Sequence, residues 1–166
     1  MRRLLIGLLV GLVLGGAGGF AAGIFFFPYI FPPPVATQEV ANRAAHTVLG
    51  TGTFIHADPS DPIHWGRGSV SILRDPDGGR IVHLEKDFEV GPGPDYRVYL
   101  VAHAAPRAKD DVRAAFVDLG GLAAFKGSQT YRIPADLDLA AQGSVVIWCR
   151  AFAQLISPAS IERKAQ

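Results

Sequence analysis

One thiol dominates the chemistry this chain can offer. Cys149, in the run SVVIWCRAF (Ser144–Phe152), is the only cysteine among 166 residues. A lone cysteine excludes an intrachain disulfide, the C-x-x-C-H attachment of a c-type haem and the paired C-x-x-C of a zinc ribbon. A blue-copper centre needs a cysteine, two histidines and usually an axial methionine. No histidine follows Cys149 and the only methionine is Met1, so that centre is excluded too. The chain has no G-x-S-x-G elbow and no P-loop. The prolines of GPGPD, from Gly91, remove the N–H groups that a phosphate cradle would use. No second carboxylate stands at a working spacing from Asp95, which reads as a turn cap, so no acid–base pair is defined and nothing points to an enzyme.

The histidines are the other candidates for ligation. His56 and His64 flank the loop ADPSDP, where Asp58 and Asp61 could complete an oxygen–nitrogen site. The plainer reading makes those aspartates turn acceptors beside Pro59 and Pro62. His83 and His103 fall on expected strands and meet only if those strands pair. Trp65, Trp148, Tyr99 and Tyr131 read as core or rim aromatics, although Trp148 beside Cys149 also suits stacking or electron hopping.

If SVVIWCRAFAQLI is one strand, its side chains alternate between two faces. Val145, Ile147, Cys149 and Ala151 share one; Val146, Trp148, Arg150 and Phe152 share the other. The cysteine then lies on the apolar, small-residue face, away from Arg150. Three readings stay open: a small core residue, a redox or ligand thiol at a cleft beside the strand end, or an intermolecular disulfide.

These residues must be positioned by one domain, since 166 residues suffice for a single core. Charged residues are 19% of the chain, with 16 Lys and Arg against 15 Asp and Glu, and no basic stripe marks a nucleic-acid partner. After Arg2 and Arg3 no charge occurs until Glu39. That apolar run exceeds the roughly 20 residues a spanning helix needs. Residues 4–27 are expected to cross a bilayer. Residues 1–3 are expected in the cytoplasm and the remainder outside, periplasmic or extracellular, by the positive-inside rule. The rival is a cleaved signal peptide, with Leu4–Leu14 as its apolar region and Gly15–Gly23 as its cleavage zone. The continuation IFFFPYIF favours the anchor. A lipoprotein is excluded, because the cysteine lies far from the N-terminus. Gly7, Gly11, Gly15, Gly19 and Gly23 recur every fourth residue, a stripe that suits a homodimer or a helical membrane partner.

Residues 28–46 read as a proline-rich spacer with a short helix, and residues 162–166 as a tail. Between them, TGTFIHA, SVSIL, IVHLEKDF, YRVYLVAH, SQTYRIP and SVVIWCRAFAQLI read as strands. Turn chemistry such as RDPDGGR and EVGPGPD separates them. The expected fold is an all-β, antiparallel sandwich-like domain behind one N-terminal helix.

The stretches GTF (from Gly52), HLEKDFEVGPGPDYRVYLV (His83–Val101), LGGLAAFKGSQTYRIP (Leu119–Pro134) and SVVIWCRAFAQLISPASI (Ser144–Ile161) resemble the DM13 domain. The resemblance covers residues 47–161 and departs at Tyr96, where an aliphatic residue is expected. It implies a β-sandwich-like extracytoplasmic module, found in bacteria behind an N-terminal anchor and on animal cell surfaces. In animals such modules accompany DOMON domains, which bind haem or sugars. It also implies electron transfer through a cysteine that falls on Cys149, as a bare thiol or as ligand to a group such as haem, with a redox partner. The alternative is a non-catalytic binding or adhesion module in which Cys149 is structural.

Overall fold

The computed structural model describes residues 1–164. Helix α1 (Arg2–Ile30) holds 29 residues and ends at Phe31, whose N–H still donates to the Phe27 carbonyl at 2.8 Å; the prolines that follow have no N–H to continue it. It is long and apolar enough to cross a membrane, and its apolar window is not buried in the protein. Pro28 sits inside its last turn.

The strands are β1 (Ala36–Thr37), β2 (Thr47–Thr53), β3 (Gly66–Arg67), β4 (Ser69–Arg74), β5 (Arg80–Leu84), β6 (Glu89–Val90), β7 (Tyr96–Val101), β8 (Phe116–Gly121), β9 (Gly127–Ile133), β10 (Ser144–Cys149), β11 (Gln154–Ser160) and β12 (Glu162–Arg163). A one-turn helix, α2 (Lys109–Arg113), precedes β8, and 3-10 turns stand at Arg43–Ala45 and Leu139–Ala141. One sheet runs β1-β9-β5-β4-β2-β12, a second β11-β10-β7-β8, and β3 pairs with β6. Every pairing is antiparallel except β1 with β9.

The two larger sheets face each other across the main core. Val70, Ile72, Val82, Leu84 and Tyr131 come from one; Tyr96, Val98, Leu100, Val145, Ile147 and Ile156 come from the other. Alternation along each strand sends every second residue inward, and the fold is a β sandwich behind one apolar helix.

Three expectations are corrected. The last strand is two strands: β10 stops at Cys149, Arg150–Ala153 turn, and β11 returns beside it. The turn has no Gly, Pro, Asn or Asp to announce it; Ala153 itself takes the left-handed conformation at φ 48°. Ala151 and Phe152 are consequently exposed in the turn and take no part in the strand's alternation. The tail contributes β12, which pairs Glu162 and Arg163 with Thr51 and Gly50. The spacer docks on the domain: Ala36 and Thr37 pair with Gly127 and Ser128, and the Gln38 side-chain oxygen accepts from Thr130 N at 2.9 Å.

The glycine row of α1 is also less straight than its spacing suggests. At about 100° per residue, each step of four gains about 40°, so Gly7 and Gly23 end about 160° apart around the axis.

Candidate functional site

β10 is central in its sheet, and all six of its residues are buried. Cys149, 1% exposed, closes the strand and faces the main core opposite Tyr96 of β7. Its Sγ donates to the Pro94 carbonyl oxygen at 3.2 Å. Burial pushes the thiol above its ordinary range, and the turn N–H groups of Phe152 and Ala151 pull less strongly the other way. Arg150, the next residue, points outward, where its Nε donates to the Asp95 carboxylate at 2.8 Å. Asp95 takes the left-handed conformation at φ 49°, as a turn residue ahead of β7. The GPGPD loop thus covers the cysteine through Pro94 and latches the next turn through Asp95.

Tyr96 is where the chain departs from the motif, and its ring is part of the thiol's wall. Burial is the main cause that raises its phenol well above the usual range, and the neighbouring Cys149 adds to it. Its hydroxyl lies against Gly93, where a Cβ would sit 2.2 Å from the oxygen.

Trp148 faces away from Cys149 into a second cluster with Tyr99, Val101, Val112, Val146 and Leu155. Its ring stacks on Tyr99 with centroids 6.2 Å apart and planes 24° from parallel. Tyr99 in turn stacks on Phe116 at 4.5 Å and 11°. Phe116 is 46% exposed, so an aromatic row leads from the surface to the residue bonded to Cys149. Tyr99 is thus more than the core or rim aromatic expected from sequence, and Phe116 was not expected at the site at all. The signal available was the alternation of YRVYLV; the β7–β8 register that supplies Phe116 was not.

The histidines are not gathered. His56 Nε2 lies 2.7 Å from the Asp61 carbonyl oxygen, and His64 Nδ1 lies 2.5 Å from the Asp61 carboxylate. That bond to His64, with the Ile63 N–H next, holds the Asp61 carboxyl at about 2. Asp58 accepts from the Ser60 hydroxyl and N–H. The aspartates therefore act as turn acceptors. His83, on β5, bonds Thr130 Oγ1 at 3.0 Å in one sheet; His103 follows β7 in the other and accepts from Ala105 N. β5 and β7 do not pair with each other, and the two histidines do not meet. Among the described residues, no three His, Cys, Asp or Glu side chains form a group that could hold a metal ion.

A haem held by Cys149 needs an open face at the sulfur. Cys149 is 1% exposed, and Pro94 and Tyr96 occupy its approaches. The residues present do not fit that group.

No curated protein and no solved structure gives a match. A family model described as "Electron transfer DM13" matches residues 59–161. It spans more than half of the chain, and the protein belongs to the DM13 family.

Proposed function

We propose that the chain is a membrane-anchored electron-transfer module, held by α1 with its β domain on the exported side, in which Cys149 is the redox group and Trp148 its outlet. The observation that carries the reading is the stacked row Phe116–Tyr99–Trp148, which ends at the residue bonded to Cys149. Two of its rings, indole and phenol, can each pass an electron singly. In this reading the thiol gives up one electron and its proton and becomes a thiyl radical. The electron moves along the row to a one-electron oxidant at Phe116. The proton is released to water as the radical forms. Anchoring is supported by the length and apolarity of α1, and the side by Arg2 and Arg3 ahead of it.

The test is flash oxidation of the full chain in detergent with photogenerated ruthenium(III) tris-bipyridine. The expected result is a transient tryptophan or tyrosyl absorbance that decays quickly in the wild type. The decay should be slow in Cys149→Ala, where the electron donor is missing. Equal decay in both proteins would overturn the reading.

The second reading, a non-catalytic binding or adhesion module, is favoured by one observation. Cys149 is 1% exposed in the main core and carries a thiol that burial keeps protonated. In that case Cys149→Ala changes stability and nothing else.

A further inference from the structure

We propose that the end of the sandwich carrying Cys149 rests on the bilayer, with lipid acyl chains filling the groove between α1 and Pro94. The inference rests on the anchoring of α1 proposed above and adds an orientation to it. The groove, about 460 Å³, is walled by Phe20, Gly23, Ile24, Phe27 and Pro28 of the helix and by Pro94 of the loop that caps the thiol. One wall is therefore the apolar helix itself. A solvent that surrounds the helix reaches the groove without crossing any polar surface, and for a spanning helix that solvent is lipid.

The same end of the domain is apolar at its tips. Beyond the helix and Phe31, the large apolar side chains exposed to solvent are Val35, Ile63, Phe116 and Phe152. Phe152, 58% exposed, is in the turn that follows Cys149, and Ile63 lies beside the GPGPD loop, its carbonyl oxygen against Gly91. Three neighbouring loops thus present Ile63, Pro94 and Phe152 at one end. The opposite end carries Phe116 on one sheet and a charged cleft at the other. Arg74 and Arg80, which bracket the β4–β5 turn, share a cleft with Asp138, Arg163 and Lys164, beside the residues that lead into Ser144. Asp61, Asp95 and Arg150 stand in the same three loops as the apolar tips, so apolar tips and charges are interleaved there, the mixture expected of a surface seated at the headgroup level.

The orientation gives the electron row a direction. Cys149 lies at the membrane side, whereas Phe116 pairs with Val101 at the far end of β7. The one-electron oxidant proposed above then meets the row on the side away from the bilayer.

The experiment uses the full chain with Cys149→Ala, so that one new cysteine carries a bimane label. Phe152→Cys and Ile63→Cys report the apolar end; Asp77→Cys, in the exposed β4–β5 turn, reports the other. The proteins are reconstituted in phosphatidylcholine–phosphatidylglycerol vesicles containing 5-doxyl phosphatidylcholine, and flotation is measured on the same samples. Expected is flotation, with strong quenching at positions 152 and 63 and little at 77. Flotation with all three labels equally unquenched would overturn the orientation and leave the anchor standing. Chains that fail to float would remove the anchor and the orientation with it. Use of two labels at the apolar end keeps the result readable if one variant misfolds.

Discussion

Cys149 and Pro94 are joined by a hydrogen bond from the thiol to the proline carbonyl, 3.2 Å long, which ties the end of β10 to a loop 55 residues earlier in the sequence. The bond shields the sulfur from above, and the Arg150–Asp95 pair beside it holds the turn shut. Native Cys149 should therefore react with a maleimide far more slowly than the unfolded chain does. Arg150 and Asp95 are both substantially exposed, so the pair contributes little to stability. Arg150→Ala should nevertheless speed labelling severalfold with almost no loss in urea midpoint, because only the local opening becomes easier. An unchanged labelling rate in Arg150→Ala would show that the turn is not the gate.

Much of the sandwich was legible because period-2 alternation and strong turn residues coincide. RDPDGGR predicts the β4–β5 hairpin, and the structure has it with Asp75 and Gly79 closing the turn. The β10–β11 turn was not legible, since Arg150–Ala153 carries no turn residue and the apolar run reads straight through it. Alternation put Cys149 on one face with Val145 and Ile147 but did not decide its exposure, and its partner Pro94 depends on a long-range register that no local pattern encodes. The docking of the spacer was hidden for the same reason: two residues, Ala36 and Thr37, find a strand some 90 positions away.

His83 should make stability depend on pH. It is 2% exposed, on the outer face of its sheet, and burial pushes it below its ordinary 6.5. Glu85 and Glu39 oppose that shift, and Arg43 reinforces it. The unfolded chain therefore takes up a proton below 6.5 that the folded chain resists, so stability is lost as pH falls through that value. Between about pH 7.5 and about pH 5.5 the wild-type midpoint should drop more than that of His83→Gln. Parallel pH curves for the two proteins would remove His83 as the cause.

Gly127 begins β9 at φ +93°, and a Cβ there would lie 2.1 Å from the Ala36 carbonyl oxygen. Gly78 has nearly the same φ, +89°, but nothing within 4 Å of its Cβ position. Both alanine variants bear the backbone strain, about 1–3 kcal/mol. Gly127→Ala bears a backbone clash as well. The expected order in urea denaturation is wild type, then Gly78→Ala, then Gly127→Ala, with the last variant also releasing the β1 segment to proteolysis. Equal midpoints for the two variants would mean that the β1–β9 contact yields without cost.

The glycine row of α1 offers the remaining test. Gly7, Gly11, Gly15, Gly19 and Gly23 have nothing within 4 Å of their Cβ positions, so the protein's own packing does not explain them, although Gly23 also borders the Pro94 groove. We propose that the row serves a homodimer. Because it winds about 40° per step, two such helices can follow it only over a few turns, crossing at the angle of close-packed glycine pairs rather than running parallel. The contact should then centre on Gly11 and Gly15 and exclude Gly23, which the winding carries toward the opposite side. Gly11→Leu with Gly15→Leu removes the close approach and should lower the dimer fraction in detergent, read by crosslinking across a dilution series. Gly23→Leu should leave that fraction unchanged. A monomer–dimer ratio unaffected by the double substitution would leave the glycines with no role in association, and a loss caused equally by Gly23→Leu would place the contact on a different face.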